Sequence, residues 1–236
     1  MNDMQKKLGH YFSYPLYEGN IATIIAPSLI LSLFIFLSQK FASLLGSYGV
    51  IPGLLLSIAI ICFSMDYLRQ IVKSAAKGET QPPEWNIDRI DLEEMFRGVI
   101  PLAVSSFEIF FIIIPVNFLI SLSMDTAFWN QFVISWKLQV LMPFVVLYPV
   151  NLLSYSIFDD FIIVRLFRTL SKTALLKIFT IHTLSFYVLI HVILLPIWKN
   201  FFMILLSFGI LFYLFQIWGY SLGRIYYRDA NFLNEG

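Results

Sequence analysis

The sequence predicts an all-α fold: a polytopic transmembrane helical bundle of about six spans, with the N- and C-termini cytoplasmic. Three observations carry this prediction: an apolar composition, six long apolar stretches, and basic residues concentrated in every second gap between the stretches. Of 236 residues, 58% are hydrophobic and 13% charged, and the mean hydropathy is +0.77. Soluble domains average about 45–50% apolar and about 25% charged residues, so this composition is that of a membrane protein.

The apolar stretches have lengths close to the roughly 20 helical residues that a hydrocarbon core requires. They lie at about 21–37, 50–65, 98–122, 138–158, 178–197 and 201–222. Lipid-facing backbone groups must pair within their own segment, and stretches that are apolar on all sides are typical of helices, not of barrel strands. We therefore expect each stretch to be helical, and the whole chain, 1–236, to form one integral membrane domain.

Lysine and arginine are divided unevenly between the two ends of the predicted bundle. The N-terminal arm, the second and fourth gaps and the C-terminal tail hold 13 of the 16 basic residues, and the other three gaps hold one each. Basic residues are retained on the cytoplasmic side of a membrane. This pattern predicts a multi-pass protein of the cell (cytoplasmic) membrane with both termini inside, as the even number of stretches also requires.

The first long cytoplasmic connection, about 66–97, has more content than a simple turn. Gly78 offers a stop for the preceding helix. The two prolines that follow favour an extended segment, in which Pro83, Glu84 and Trp85 are candidates for a contact with the membrane or the bundle. An Asp-Leu-Glu-Glu sequence follows and resembles a capping box, which predicts that the third helix begins near Leu92. A binding loop and a plain, well-capped connector both fit these residues.

The second long connection, about 159–177, is unusually apolar for a segment in water. Its apolar side chains alternate with Arg165, Arg168 and Lys172, a mixture that suits a helix lying in the interface or an extension of the fourth span. Each basic residue near the surface contributes about 1 kcal/mol of attraction to anionic headgroups. These three residues are candidate lipid-headgroup contacts, either as a specific lipid site or as a general anchor.

Several short motifs occur in order along the chain. They are Tyr14-Pro15, Lys77-Gly78-Glu79, Pro83-Glu84-Trp85, Phe96-Arg97-Gly98 and Gly219-Tyr220. Over nearly its whole length the chain resembles an uncharacterised prokaryotic family of multi-span membrane proteins, a domain of unknown function. In that family a Lys-Gly-Glu and Pro-x-Trp loop joins the second and third spans. The resemblance implies architecture and a prokaryotic source, and it brings no activity and no site residues.

The strongest candidate for chemistry is Glu108, about 15 Å from the start of the third stretch and so near the bilayer midplane. Pro101 and Pro115 lie seven residues to either side, which places all three on one face of a regular helix. His191 is a candidate partner of Glu108, with a hydrogen bond to backbone or hydroxyl groups as the alternative, and Asn117 is suited to hydrogen bonding between helices. This candidate intramembrane polar site fits a transport pathway, and it also fits a protonated glutamic acid bonded in a helix interface.

The sequence contains no phosphate-binding loop, no His-Glu-x-x-His and no Gly-x-Ser-x-Gly motif. We therefore predict no enzyme, no catalytic residues, no cofactor and no metal, and a net charge of +1 predicts no nucleic-acid partner. The predicted function is an accessory or structural membrane component that binds the lipid bilayer and a membrane-protein partner or a second copy. The alternatives are a small-solute transporter or channel using Glu108 and proline-broken helices and, third, a membrane-embedded enzyme.

Overall fold

The computed structural model describes residues 11–16, 21–45, 51–83, 92–115, 136–159, 166, 169–194 and 201–234. Within these ranges the regular structure is helical, with no strand, which confirms the predicted all-α class. A short 3-10 turn, Tyr14–Leu16, precedes the long helices. These are α1 Ile21–Leu45, α2 Ile51–Ala76, α3 Leu92–Glu108, α4 Trp136–Phe158, α5 Lys172–Leu194 and α6 Phe201–Asn234. A π-helix, Ile109–Ile113, continues α3.

Two long helices, α2 and α6, form the centre of the bundle and pack most extensively on each other. Helix α6 also contacts α1 and α5, and α2 also contacts α3 and α4. The main core lies where α2, α4, α5 and α6 meet, at one end of the bundle. Its largest buried members include Leu68, Tyr148, Leu152, Leu153, Ile178, Trp218 and Leu222.

Three glycines let the helices on either side of α2 approach its backbone. A Cβ at Gly223 of α6 would lie 2.5 Å from the carbonyl oxygen of Val72, and one at Gly219 would overlap the side chain of Leu68. On the other side, a Cβ at Gly98 of α3 would overlap the backbone of Asp66. Small residues at helix contacts are a general device of membrane bundles. Here they fix both neighbours of α2 at close range.

Helix α2 ends where the sequence predicts a stop, at Gly78. This glycine has a φ of 92°, which favours glycine over residues with a side chain. Its carbonyl oxygen accepts a hydrogen bond of 2.9 Å from Arg224 Nη1, and the ring of Tyr227 lies over it. The first turn after α2 is therefore held against α6.

Helix α5 begins earlier than the apolar stretch that predicts it. Ser171 caps the helix by accepting a hydrogen bond from the backbone N–H of Ala174 at 3.2 Å. The backbone N–H and the hydroxyl of Ser171 both donate to Asp229 of α6, each at 2.6 Å. The last residues of the predicted 159–177 connection, from Lys172 onward, thus belong to α5 and not to a separate interfacial helix.

Judged by length and apolar composition alone, one helix within the described ranges qualifies to cross a membrane: α6, over Phe201–Asn231. The segment Ile21–Leu37 of α1 is a shorter apolar helix.

Candidate functional site

Three polar side chains in the middle of the bundle form a hydrogen-bonded group, Ser105, Glu108 and Asn151, which we name the Glu108 cluster. Asn151 Nδ2 donates to Glu108 Oε2 at 2.7 Å and to Ser105 Oγ at 2.9 Å. Ser105 Oγ in turn donates to the carbonyl oxygen of Pro101 at 2.8 Å. The cluster joins α3 to α4 and uses both hydrogens of the Asn151 amide.

The oxygen of the Asn151 amide takes no part in these hydrogen bonds. Asn151 Oδ1 is buried and has no hydrogen-bond partner among the described residues. A buried acceptor without a donor costs about 1–3 kcal/mol. Asn151 Oδ1 is therefore an acceptor that remains available within the cluster.

The Glu108 cluster is buried on one side and close to the outer surface on the other. Ser105 and Asn151 are fully buried, whereas Glu108 is half-buried. Next to Glu108 on the helix are Phe107 and Phe111, which stack on each other with ring centroids 4.6 Å apart and are mostly exposed. Glu108 is therefore not fully enclosed, and mostly exposed aromatic side chains adjoin it on the helix.

The helix changes its geometry directly after Glu108. The π-helix Ile109–Ile113 follows, and the N–H of Ile114 bonds to the carbonyl oxygen of Ile109. Pro115 has no N–H for the carbonyl oxygen four residues earlier, which accounts for a local departure from α-helical bonding. The shared face predicted for the two prolines assumes a regular helix, but Pro101 is buried and Pro115 is exposed. Single-turn π-helices occur frequently at functional sites.

The predicted partner of Glu108, His191, belongs to α5, but its side chain lies outside the described residues, and so does Asn117. The Glu108–His191 contact therefore stays a prediction, and the partner that the structure gives is Asn151. The other histidine of α5, His182, is buried with its ring centroid 4.9 Å from that of Trp218. It belongs to the aromatic part of the core.

A second polar group lies at the charged end of the bundle and is centred on Arg69. This guanidinium is almost fully buried and donates to Asp66 at 3.1 Å through Nε. It also pairs with Glu94 of α3 and, at 3.6 Å, with Asp159, which follows α4. Lys73 contacts Asp159 as well, at 3.4 Å. One cation thus joins three helices.

Burial raises the pKa of the Asp66 carboxyl above its ordinary value, while the charge of Arg69 and a hydrogen bond from Gln70 act in the opposite direction. Asp66 and Arg69, three residues apart on α2, form an ion pair at 3.0 Å.

The other candidate contacts are described only in part. In the loop after α2, the carbonyl oxygen of Pro83 accepts a hydrogen bond of 3.3 Å from the hydroxyl of Tyr67, so the loop is tied to the bundle at this point. Glu84 and Trp85 lie outside the described residues. Among the candidate headgroup contacts, Lys172 is exposed at the start of α5, and the structure does not describe the other two, Arg165 and Arg168.

The part of the chain that the structure describes brings together no group of three or more His, Cys, Asp or Glu side chains that is able to hold a metal ion. Cys62 is a free cysteine buried in α2. Sequence reasoning singled out Glu108 but missed Asn151 and Ser105. The rule that selects Glu108 also applies to Asn151, a polar residue surrounded by apolar ones in its stretch.

Comparison with known proteins gives no relative: no family model matches the chain, and no curated protein and no solved structure matches it significantly.

Proposed function

We propose that this chain is a multi-pass protein of the cell membrane, with six crossing helices and both termini in the cytoplasm. Its role in this proposal is that of an accessory or structural component that binds lipid and a membrane-protein partner or a second copy of itself. It is not an enzyme in this proposal, and it uses no cofactor.

The observation that carries the proposal is a surface of large apolar side chains combined with polar side chains that are buried between the helices. Large apolar side chains lie on the outside, among them Phe96, Phe107, Phe111, Leu176, Leu184, Phe202 and Leu206. Polar side chains are fully buried between helices, among them Ser32, Ser105, Asn151, Ser154 and Ser156. In water the exposed apolar surface would be strongly unfavourable, whereas in hydrocarbon it is the expected lining of a lipid-facing surface.

Polar contacts between helices further support a membrane setting. Gln216 of α6 donates to the hydroxyl of Thr23 of α1 at 2.8 Å, where both side chains are buried. Asn151 joins α4 to α3 in the same way. Because lipid tails compete poorly for such groups, interhelical hydrogen bonds and close glycine contacts replace the hydrophobic effect as the basis of packing.

The positions of the buried polar and ionic side chains support the accessory role. Within the described ranges, the buried ionic group around Arg69 joins α2, α3 and the end of α4, which is a structural task. The exposed side chains of α3 and its π-helix form an aromatic surface that is suited to a lipid or a partner helix.

The test is purification of the full chain from its native host in native nanodiscs, with mass spectrometry of everything that co-purifies. A stoichiometric membrane-protein partner, or a homo-oligomer at native expression level, is the expected result. A lone monomer that carries only bulk lipid would contradict the accessory role. Purification of a variant that exchanges Phe107 and Phe111 for leucine serves as the control for the aromatic surface.

A second candidate function, a small-solute carrier, is favoured by one specific observation. The Glu108 cluster combines a mid-helix carboxyl group, a buried amide with an unused acceptor and an adjoining π-helix. Against it, α4 runs unbroken through its two prolines, Pro143 and Pro149. Glu108→Gln separates the two roles: loss of a flux in liposomes supports transport, and loss of assembly with a partner supports the accessory role.

A further inference from the structure

We propose that the Glu108 cluster is a proton-binding site that opens toward the hydrocarbon, in which the Glu108 carboxyl group takes up and releases the proton and the amide of Asn151 holds the carboxyl in place. The proposal goes beyond the accessory role and does not require it. It does rest on the membrane placement of α3, which accessibility mapping tests independently.

The first step is the charge of the cluster. Ser105 and Asn151 are neutral, so with an ionised Glu108 the cluster carries one negative charge. Glu108 has a single hydrogen bond in the described structure, the one from Asn151 Nδ2. An uncompensated charge at mid-depth in a bilayer is strongly unfavourable, so the carboxylate requires a positive ligand.

The second step is that no side chain of the described structure supplies this charge. Helices α2 and α4 pack against α3. The titratable or charged side chains described in these two helices and directly after α4 are Cys62, Asp66, Tyr67, Arg69, Lys73, Tyr148, Tyr155 and Asp159. None of them bonds to Glu108, whose hydrogen bond comes from Asn151. Of the two cations, Lys73 contacts Asp159, and Arg69 bonds to Asp66, which packs on Gly98. Gly98 is ten residues, or about 15 Å along the helix, from Glu108.

The third step concerns which cation fits. Metal cations that bind oxygen, such as Mg²⁺ and Ca²⁺, take about six to eight oxygen ligands, and the cluster has few to give. Ser105 Oγ already donates to Pro101 and accepts from Asn151, and one oxygen of Glu108 accepts from Asn151. A proton needs only one carboxylate oxygen and no set of coordinating ligands around it. The unused acceptor, Asn151 Oδ1, is then available for the O–H of the acid or for a water that delivers the proton.

The fourth step is access. Phe107 and Phe111, on either side of Glu108 along the helix, are mostly exposed, and Glu108 itself is only partly buried. The π-helix starts at the next residue and provides a segment whose hydrogen bonds are able to rearrange. A reagent dissolved in the hydrocarbon therefore reaches Glu108, while one dissolved in water does not.

The experiment uses dicyclohexylcarbodiimide, an apolar reagent that modifies protonated carboxyl groups, on the full chain in native membranes. Peptide mass spectrometry then locates the modified residues. We expect Glu108 to be labelled, with a rate that falls as the pH rises and that sodium ions do not change. A water-soluble carbodiimide should instead label Glu93, which is exposed at the start of α3, and leave Glu108 unmodified. The variant Glu108→Gln should lose the label.

Two further variants test the role of the amide. Asn151→Leu removes the donor that favours the ionised carboxylate, so the pH of half-maximal labelling should move upward by about one unit. Ser105→Ala is the matched control, because it leaves the bond from Asn151 to Glu108 in place, and its midpoint should stay near that of the unmodified protein.

The proposal is overturned by any of three results with the unmodified chain: no labelling of Glu108 at any pH, labelling that is independent of pH, or protection by sodium ions. An unchanged midpoint in a folded Asn151→Leu protein also contradicts it. If this variant fails to assemble, the labelling of the unmodified chain with and without sodium still tests the proposal. The labelling of Ser105→Ala then serves as the second measurement.

Discussion

A single guanidinium group balances a buried carboxylate at the charged end of the bundle. Arg69 is 4% exposed and Asp66 is 6% exposed, so neither charge is well solvated by water. We expect Arg69→Met to lower the free energy of unfolding by about 3–5 kcal/mol, because Asp66 is left buried and unpaired. Thermal unfolding in a mild detergent measures the loss.

The control for this prediction is Arg97, which is 43% exposed and pairs mainly with the exposed Glu93 of its own helix at 2.7 Å. Exposed pairs contribute little, so Arg97→Met should leave the unfolding midpoint nearly unchanged. Equal losses in the two variants would show that the buried network has no special role.

The buried position of Asp66 also makes stability depend on pH. Because its folded-state pKa lies above the ordinary value of about 3.9, the folded chain holds this proton more tightly than the unfolded chain does. The contribution of Asp66 is therefore favourable below that value and is lost as the pH rises through the folded pKa. We expect the thermal unfolding midpoint of Asp66→Asn to change less with pH, above about pH 4, than that of the unmodified protein. An unchanged profile in the variant would contradict this assignment.

Glu108 and its partner show how much of the candidate site the sequence predicts at the scale of single residues. The position of Glu108 along its helix follows from counting residues. Its partner depends on which face of α4 packs against α3, and the sequence alone does not give the rotation of α4 about its axis. His191 satisfies the depth rule as Asn151 does, so depth cannot choose between them. The packing of α4 on α3 places Asn151 Nδ2 2.7 Å from Glu108 Oε2, and the contact with His191 stays a prediction.

At the scale of helices, the contact between α2 and α3 depends on the missing side chain of Gly98. A methyl group there would overlap the backbone of Asp66, which cannot move aside as a flexible side chain can. We expect Gly98→Ala to reduce the free energy of unfolding by at least about 1–3 kcal/mol, the usual cost of overpacking. Thermal unfolding in a mild detergent is again the measurement.

Gly209 of α6 is the matched control, because a Cβ at this position meets no atom within 4 Å. Alanine is the better helix former by about 1 kcal/mol, so Gly209→Ala should be neutral or slightly stabilising. If both alanine variants were equally destabilised, the close approach of α3 to α2 would not be the cause.

Helix ends show what local sequence determines. The start of α3 at Leu92 and the stop after α2 at Gly78 agree with the structure, because caps and positive-φ glycines act within a few residues. The start of α5 at Lys172 was missed, since Ser171 is fixed by Asp229, 58 residues further along the chain. The π-helix after Glu108 was missed because the prediction assumed a regular repeat.

At the scale of the whole molecule, the proposal combines three properties: helices throughout the described residues, apolar side chains on their outer surface, and basic residues concentrated in every second gap of the sequence. The all-helical class follows from composition and stretch length and is confirmed. The burial of polar side chains beneath an apolar surface needs the structure, because burial depends on which helix faces are in contact. The number of crossings and their direction belong to the proposal, and they rest on the division of the basic residues.

The most direct test of this proposal is a cysteine-accessibility map of the full chain in intact cells. Cys62 is the single cysteine, so its replacement by alanine gives a background free of cysteine. Single cysteines are then placed at the predicted inner positions 77, 172 and 231 and at the predicted outer positions 40, 137 and 199. An impermeant maleimide should label the outer set in intact cells and the inner set only after permeabilisation. Labelling of an inner position in intact cells, or protection of an outer one, would contradict six crossings with both termini in the cytoplasm.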